Sequence, residues 1–218
     1  MPARNTVKID VEESFYHVYN RGVEKRTIFQ DEQDYKVFLK YLKDYLSPPP
    51  KREDIIQTFT LKGTSFRGVP YMPNNFFEKI DLIAYCLMPN HFHLLVKQKD
   101  KGLMQSLMRS IATKYSMYFN KKYSRVGTLF QGIYKAAMVT GENYLLHLTR
   151  YIHLNPSQYS SYGEYLGIRN TTWVKPDLVL SYFSQNKTDS DKLTSYKTFV
   201  ESQIEDKDML KGFVLDTP

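Results

Sequence analysis

The order of its segments places this chain in the α+β class, as an antiparallel sheet with helices packed mainly on one face. Three observations support that assignment. Residues 80–87 and 91–97 are two strand-like runs separated only by a tight Pro89-Asn90 turn, so the second runs back along the first. Residues 31–46 and 101–123 repeat apolar side chains at helical spacing. The elements follow one another as strand, helix, strand, strand, helix, strand, helix, which is not the regular alternation of a parallel sheet.

Residues 14–20, Ser-Phe-Tyr-His-Val-Tyr-Asn, are β-branched and aromatic and read as a strand ended by Arg21-Gly22. Between Asp31 and Leu46 the residues Tyr35, Phe38, Leu39, Leu42, Tyr45 and Leu46 recur with the helical period. Asp31 and Glu32 suit the positive start of that helix, and Pro48-Pro49-Pro50 stops it. Residues 48–79, rich in Pro, Gly and Asn, form an excursion from the core, a possible flap with a short hairpin between Ile55 and Phe66. Ile80 to Leu87 is apolar on both faces, the mark of a buried central strand.

Lys101 to Tyr123 reads as a long helix whose stripe is Leu103, Leu107, Ile111 and Tyr115, widened by Met104, Met108 and Tyr118. Arg109 and Lys114 lie off the stripe. Ile133 to Val139 is strand-like, and Gly141 to Asn155 is a helix halted before Pro156. Further helices are expected near Pro176–Ser184 and Ser190–Glu205. The expected organisation is one domain over residues 1–165, with 48–79 inserted, and a helical extension over 166–218.

A single cysteine, Cys86, excludes an intrachain disulfide framework and points to a reducing, cytoplasmic setting. The N-terminal residues are polar, and no run approaches the ~20 apolar residues of a membrane span. The net charge of +7 has a definite location. Residues 101–141 hold Lys101, Arg109, Lys114, Lys121, Lys122, Arg125 and Lys135 and no acid, while the rest of the chain balances at 30−7=23 basic against 23 acidic residues. A basic block of this kind implies a polyanionic partner, most simply nucleic acid. Arg21, Lys25 and Arg26, after the first strand, add a second basic segment able to meet bases or phosphates.

The chemistry concentrates in Pro89-Asn90-His91-Phe92-His93-Leu94-Leu95-Val96. Alternation along a strand sends His91 and His93 to one side and Phe92, Leu94 and Val96 to the other. Two imidazoles so placed can share one divalent ion. Water, phosphate oxygens and an amide such as Asn155 would complete a shell suited to Mg²⁺ or Mn²⁺. Tyr151 and Asn155 stand one helical turn apart, in line with His147, whereas His153 points elsewhere. A metal pair with a tyrosine beside a polar residue suggests a nuclease that attaches itself to DNA, the ion and basic groups compensating for the weak nucleophilicity of a phenol.

Four segments carry a resemblance: Phe15-Tyr16-His17-Val18-Tyr19-Asn20-Arg21-Gly22; Ala84 through Val96; Gly127-Thr128-Leu129-Phe130-Gln131-Gly132-Ile133-Tyr134-Lys135; and Arg150-Tyr151-Ile152-His153-Leu154-Asn155-Pro156. In this order they resemble the single-tyrosine HUH transposases, especially the REP-associated tyrosine transposases. The resemblance implies a ferredoxin-like core, a Mg²⁺ or Mn²⁺ ion on His91 and His93 with Asn155 as the third metal-binding side chain, and Tyr151 as nucleophile. It implies cleavage of single-stranded DNA beside a hairpin, leaving a 5′-phosphotyrosine and a free 3′-hydroxyl, by a monomer or homodimer that is cytoplasmic and, on DNA, nucleoid-associated. The expected DNA contacts are Arg21, Lys25, Arg26, Arg109, Lys114, Lys121, Lys122, Arg125 and Lys135. Competing readings are a non-catalytic binder of structured single-stranded DNA, a water-using metal phosphoesterase, and a replication-initiator-like nickase.

Overall fold

A computed structural model describes residues 9–183 and 189–202. Strand β1 (Ser14–Arg21) leads through helix α1 (Glu32–Leu46) and a two-stranded ribbon, β2 (Gln57–Leu61) and β3 (Thr64–Gly68). Strands β4 (Ile80–Met88) and β5 (His91–Gln98), helix α2 (Leu103–Lys122) and strand β6 (Lys135–Val139) follow. Helix α3 (Glu142–Leu154) precedes two short helices, α4 (Tyr162–Tyr165) and α5 (Asp177–Leu180), and then α6 (Asp189–Glu201). The last turns of the helix expected to reach Glu205 lie outside the described residues.

β1, β4, β5 and β6 form one antiparallel sheet in the order β4-β5-β1-β6. With the excursion set aside, the succession β1-α1-β4-β5-α2-β6 is the ferredoxin-like arrangement. The ribbon stands apart as a sheet of its own, with Phe59 and Phe66 stacked on one face. Its two strands match the hairpin read between Ile55 and Phe66, shifted slightly toward the C-terminus.

Both crossover helices lie on one face. There Val18, Leu82, Leu94 and Val96 of the sheet pack against Phe38 and Leu42 of α1 and Leu107, Ile111 and Tyr115 of α2. The opposite face is closed by α3 and the C-terminal helices: Ile83, Cys86 and Leu95 meet Leu145, Leu148 and Ile152 of α3, together with Tyr165, Val179, Tyr196 and Val200. Segments beyond residue 165 therefore share this second core. Burial on both faces explains why β4 reads as a central strand. The structure corrects that reading, because β4 lies at the sheet edge. Its outer side is covered by bridges from Cys86 to Ser160 and from Leu82 to Val174, which leave its backbone little exposed.

The ends of α1 are set by local chemistry. Asp31 caps the helix by accepting from the Asp34 N–H at 3.1 Å. Asp34 itself is fully buried and accepts from Tyr118 Oη, Tyr123 Oη and Lys122 Nζ at 2.8–2.9 Å. That network ties the start of α1 to the end of α2. After β1 the chain turns sharply at Gly22, where a Cβ would lie 2.2 Å from the Arg26 carbonyl oxygen, so only glycine fits. The loop then docks on the Pro89-Asn90 turn, with the N–H groups of Ile28 and Phe29 both donating to the Pro89 carbonyl.

Candidate active site

Strand register collects the site on the α3 face of the sheet. His93 pairs with Tyr19 on one side and Cys86 on the other, His91 pairs with Arg21 and Met88, and Lys135 pairs with Tyr19. Residues opposite one another across antiparallel strands share a face. Arg21, Tyr19, Lys135, His91 and His93 therefore line one surface, as the alternation of the histidine strand requires. The two imidazoles stand at 87° with centroids 5.0 Å apart. Tyr151, reaching down from α3, meets His93 edge to face at 5.4 Å. The structure thus brings Tyr151 together with His91 and His93, which stand 60 and 58 residues before it in sequence.

Each histidine has its Nδ1 engaged. His91 Nδ1 lies 2.6 Å from Asn90 Oδ1, and His93 Nδ1 lies 2.9 Å from His17 Nε2. His93 Nε2 is buried and has no hydrogen-bond partner among the described residues. Burial pushes the His91 pKa down to about 4, helped by the positive charge of Arg21, and holds that of His93 well below its usual value. Both rings are accordingly neutral at physiological pH, the state a metal requires. A buried, unpartnered Nε2 on a neutral ring fits a divalent ion. Among the described residues no cluster of three or more His, Cys, Asp or Glu is arranged to hold one. An ion held by the two imidazoles would take its remaining ligands from outside these residue types.

Asn155 departs from the helical line read from the sequence. Pro156 forces it out of helical geometry, and it caps α3 with ψ of 132°. Its amide nitrogen donates to the Tyr151 carbonyl at 2.8 Å and to that of Ile152 at 3.4 Å, which leaves Oδ1 as its remaining ligand atom. His147 turns toward Phe199 of α6, ring centroids 5.7 Å apart. His153 is buried between Tyr196 Oη at 2.6 Å and Ser161 Oγ at 2.7 Å, so it anchors the helix. The Tyr151 phenol is pushed up to about 12, first by burial and then by Cys86 and Tyr19. It is neutral in the resting protein and needs nearby positive charge to ionise.

The basic residues divide between the two layers. Lys135 and Arg21 share the histidine face, and Arg21 Nε donates to Gln131 Oε1. Lys25 is exposed, and Arg26 sits 3.7 Å from Glu24. Arg109, Lys114, Lys121 and Lys122 belong to α2, on the far face of the sheet. Lys114 lies over the rings of Tyr41 and Tyr45 at 4.7 and 5.4 Å. Lys122, an expected DNA contact, pairs with Asp31 and the buried Asp34 at 2.7 and 2.8 Å. Arg125 braces its loop through Asn120 and Thr128. Arg109 borders a cleft of about 490 Å³ with Asp10, Met108 and Tyr134.

Two residues at the site escaped the sequence reading. His17, inside an apolar strand, has no local feature that separates it from a core histidine. Asn90 reads only as a turn residue. The signal was register: His17 is two residues from Tyr19 and so shares the face of His93.

No curated protein matches the sequence. Among solved structures, the chain is similar to a REP-associated tyrosine transposase bound to a REP hairpin, with 10% identity, 78% of this chain and 95% of that chain covered, and a TM-score of 0.47. It is also similar to a transposase candidate from Deinococcus radiodurans R1, with 12% identity, 70% and 96% coverage and a TM-score of 0.37. The model of the IS200-like transposases matches residues 77–155, which run from just before β4 to Asn155 and include both histidines and Tyr151. Over that segment, about a third of its length, the chain is similar to the IS200-like transposases.

Proposed function

We propose that the protein cleaves and rejoins single-stranded DNA beside hairpins, with Tyr151 as nucleophile and His91 and His93 as the protein ligands of a Mg²⁺ or Mn²⁺ ion, Asn155 Oδ1 being the candidate third. The observation that carries this is the convergence of Tyr151 on the histidine pair, with His93 presenting an unpartnered Nε2. A bound divalent ion would draw charge from the scissile phosphate and favour attack on it.

The chain's own residues supply the rest. Tyr151 Oη forms a bond to phosphorus and gives up its proton. The bond from phosphorus to the 3′ oxygen breaks, and the departing oxygen is protonated to a 3′-hydroxyl. A phosphodiester and a phenol become a 5′-phosphotyrosine and an alcohol, so the phosphoester bond energy is kept and the reverse step reseals a strand. Arg21 and Lys135, on the same sheet face, are the charges available to hold phosphate and favour the phenolate. The side chains of Lys25 and Arg26 follow Arg21 in the loop after β1, and the hairpin flank would pass along them.

The decisive experiment is covalent capture. The protein is incubated with Mn²⁺ and a labelled single strand carrying a hairpin, then separated under denaturing conditions. A labelled protein–DNA adduct is expected. Multiple-turnover hydrolysis with no adduct would overturn the tyrosine mechanism in favour of an activated water.

A further inference from the structure

A histidine can bind a metal through Nε2 only if the ring proton sits on Nδ1. That proton needs an acceptor, and for the fully buried His93 water does not supply one. Each histidine of the pair has such an acceptor in the chain. Asn90 Oδ1 lies 2.6 Å from His91 Nδ1, and the Asn90 amide is oriented because its nitrogen donates to the Lys25 carbonyl at 3.3 Å. The oxygen therefore faces the imidazole and can only accept. His17 Nε2 lies 2.9 Å from His93 Nδ1, with both rings fully buried and stacked at 22°. If His93 Nε2 is to be the lone-pair nitrogen, His93 Nδ1–H must donate and His17 Nε2 must accept.

We propose that Asn90 and His17 are positioning residues that lock both histidines in the Nδ1–H tautomer, so that two Nε2 lone pairs face the site before any ion arrives. This rests on the metal reading of His91 and His93 and goes beyond it by assigning the residues that prepare them. The two locks differ in reach. Asn90 belongs to the turn between β4 and β5, and its backbone carbonyl also accepts from the Gly22 N–H at 2.8 Å, so the first loop holds it. His17 stands in an inner strand of the sheet between Leu95 and Ala137, where it cannot shift without moving the strand. Outer partners of this type set ring orientation and ligand basicity, and losing one costs about 10–100-fold in metal affinity.

The test has two parts. Nitrogen-15 NMR of the histidine-labelled, metal-free full chain reads the tautomers directly. His91 and His93 are expected as Nδ1–H, and an Nε2–H signature for His93 would overturn the lock even if every variant misfolded. Mn²⁺ titration by calorimetry reads the consequence. His17→Leu and Asn90→Ala should each lose about 10–100-fold in affinity. His17→Gln and Asn90→Asp, which keep an acceptor oxygen, should recover most of it. Wild-type affinity in His17→Leu, with an unchanged melting curve, would overturn the role of His17. Wild-type affinity in a His91→Ala/His93→Ala double variant would overturn the metal reading itself, and the two failures are therefore distinguishable.

Discussion

Tyr151 and His93 meet edge to face between α3 and β5, their planes at 82°. This contact joins the two halves of the candidate site, the strand that would hold an ion and the helix that would deliver a nucleophile.

Replacing Tyr151 with Phe removes only the phenolic oxygen and leaves the ring against His93. Adduct formation should fall below detection, while affinity for a hairpin-bearing single strand stays within about twofold, because the lost group acts in the transition state. Denaturing gels and filter binding check the two halves. An adduct formed by the Phe variant would exclude this tyrosine.

His91 and His93 should differ when truncated. Either His91→Ala or His93→Ala should abolish Mn²⁺-dependent adduct formation, and chelation should do the same to the wild type. Only His93 is fully buried and bonded to His17. His93→Ala should therefore also cost about 1–3 kcal/mol of stability, from the unpaired partner left behind. His91→Ala, at a partly open position, should cost less. Urea unfolding of both variants measures the difference.

Cations of the two layers should separate cleanly. Lys122→Ala leaves the buried Asp34 without its cation and should destabilise the fold by about 1–3 kcal/mol, the usual worth of a charged hydrogen bond. The salt dependence of DNA binding should not change. Lys135→Ala, on the histidine face, should instead reduce the slope of log affinity against log salt by about 0.7, one single-strand phosphate contact. An unaltered slope in Lys135→Ala would move the DNA path off this face.

Acid should weaken the anchoring of α3. The His153 pKa is pushed down by burial to about 3, against an unfolded value near ~6.5. Between those values the unfolded chain binds the proton and the folded chain does not. Stability therefore rises with pH across that window, is fully present above about 6.5, and is lost as pH falls. Urea midpoints in metal-free buffer should drop between pH 7 and pH 5, and His153→Gln should flatten part of that drop. A variant with the same pH slope as the wild type would assign the slope to other groups.

The sequence made the sheet and its histidine face legible because strand alternation is a local rule. His91 and His93 needed only Phe92 between them, and the apolar stripe of α2 needed only its own spacing. Contacts made across the chain were not legible. Lys122 reads as one more exposed cation, because Asp31 and Asp34 lie 91 and 88 residues away. The basic block reads as one surface because its members are neighbours in sequence, yet a helix and a strand of one block can face opposite layers. Asn155 reads as the next step of a helical line, and Pro156 turns it into a cap. The apolar character of β4 came from covered faces and a covered edge, which a sequence cannot tell from a central place in the sheet.

The mounting of α3 limits how Tyr151 can travel. His153 is pinned to Ser161 and Tyr196, Asn155 closes the helix end, and the segment after it is tied to β4 through Ser157 on the Leu87 carbonyl and the Leu87 N–H on Tyr159. No glycine interrupts the helix between Glu142 and Leu154. A DNA end linked to Tyr151 would stay at the station where it was cut. The second strand, and not the helix, would have to make the journey before the two are joined.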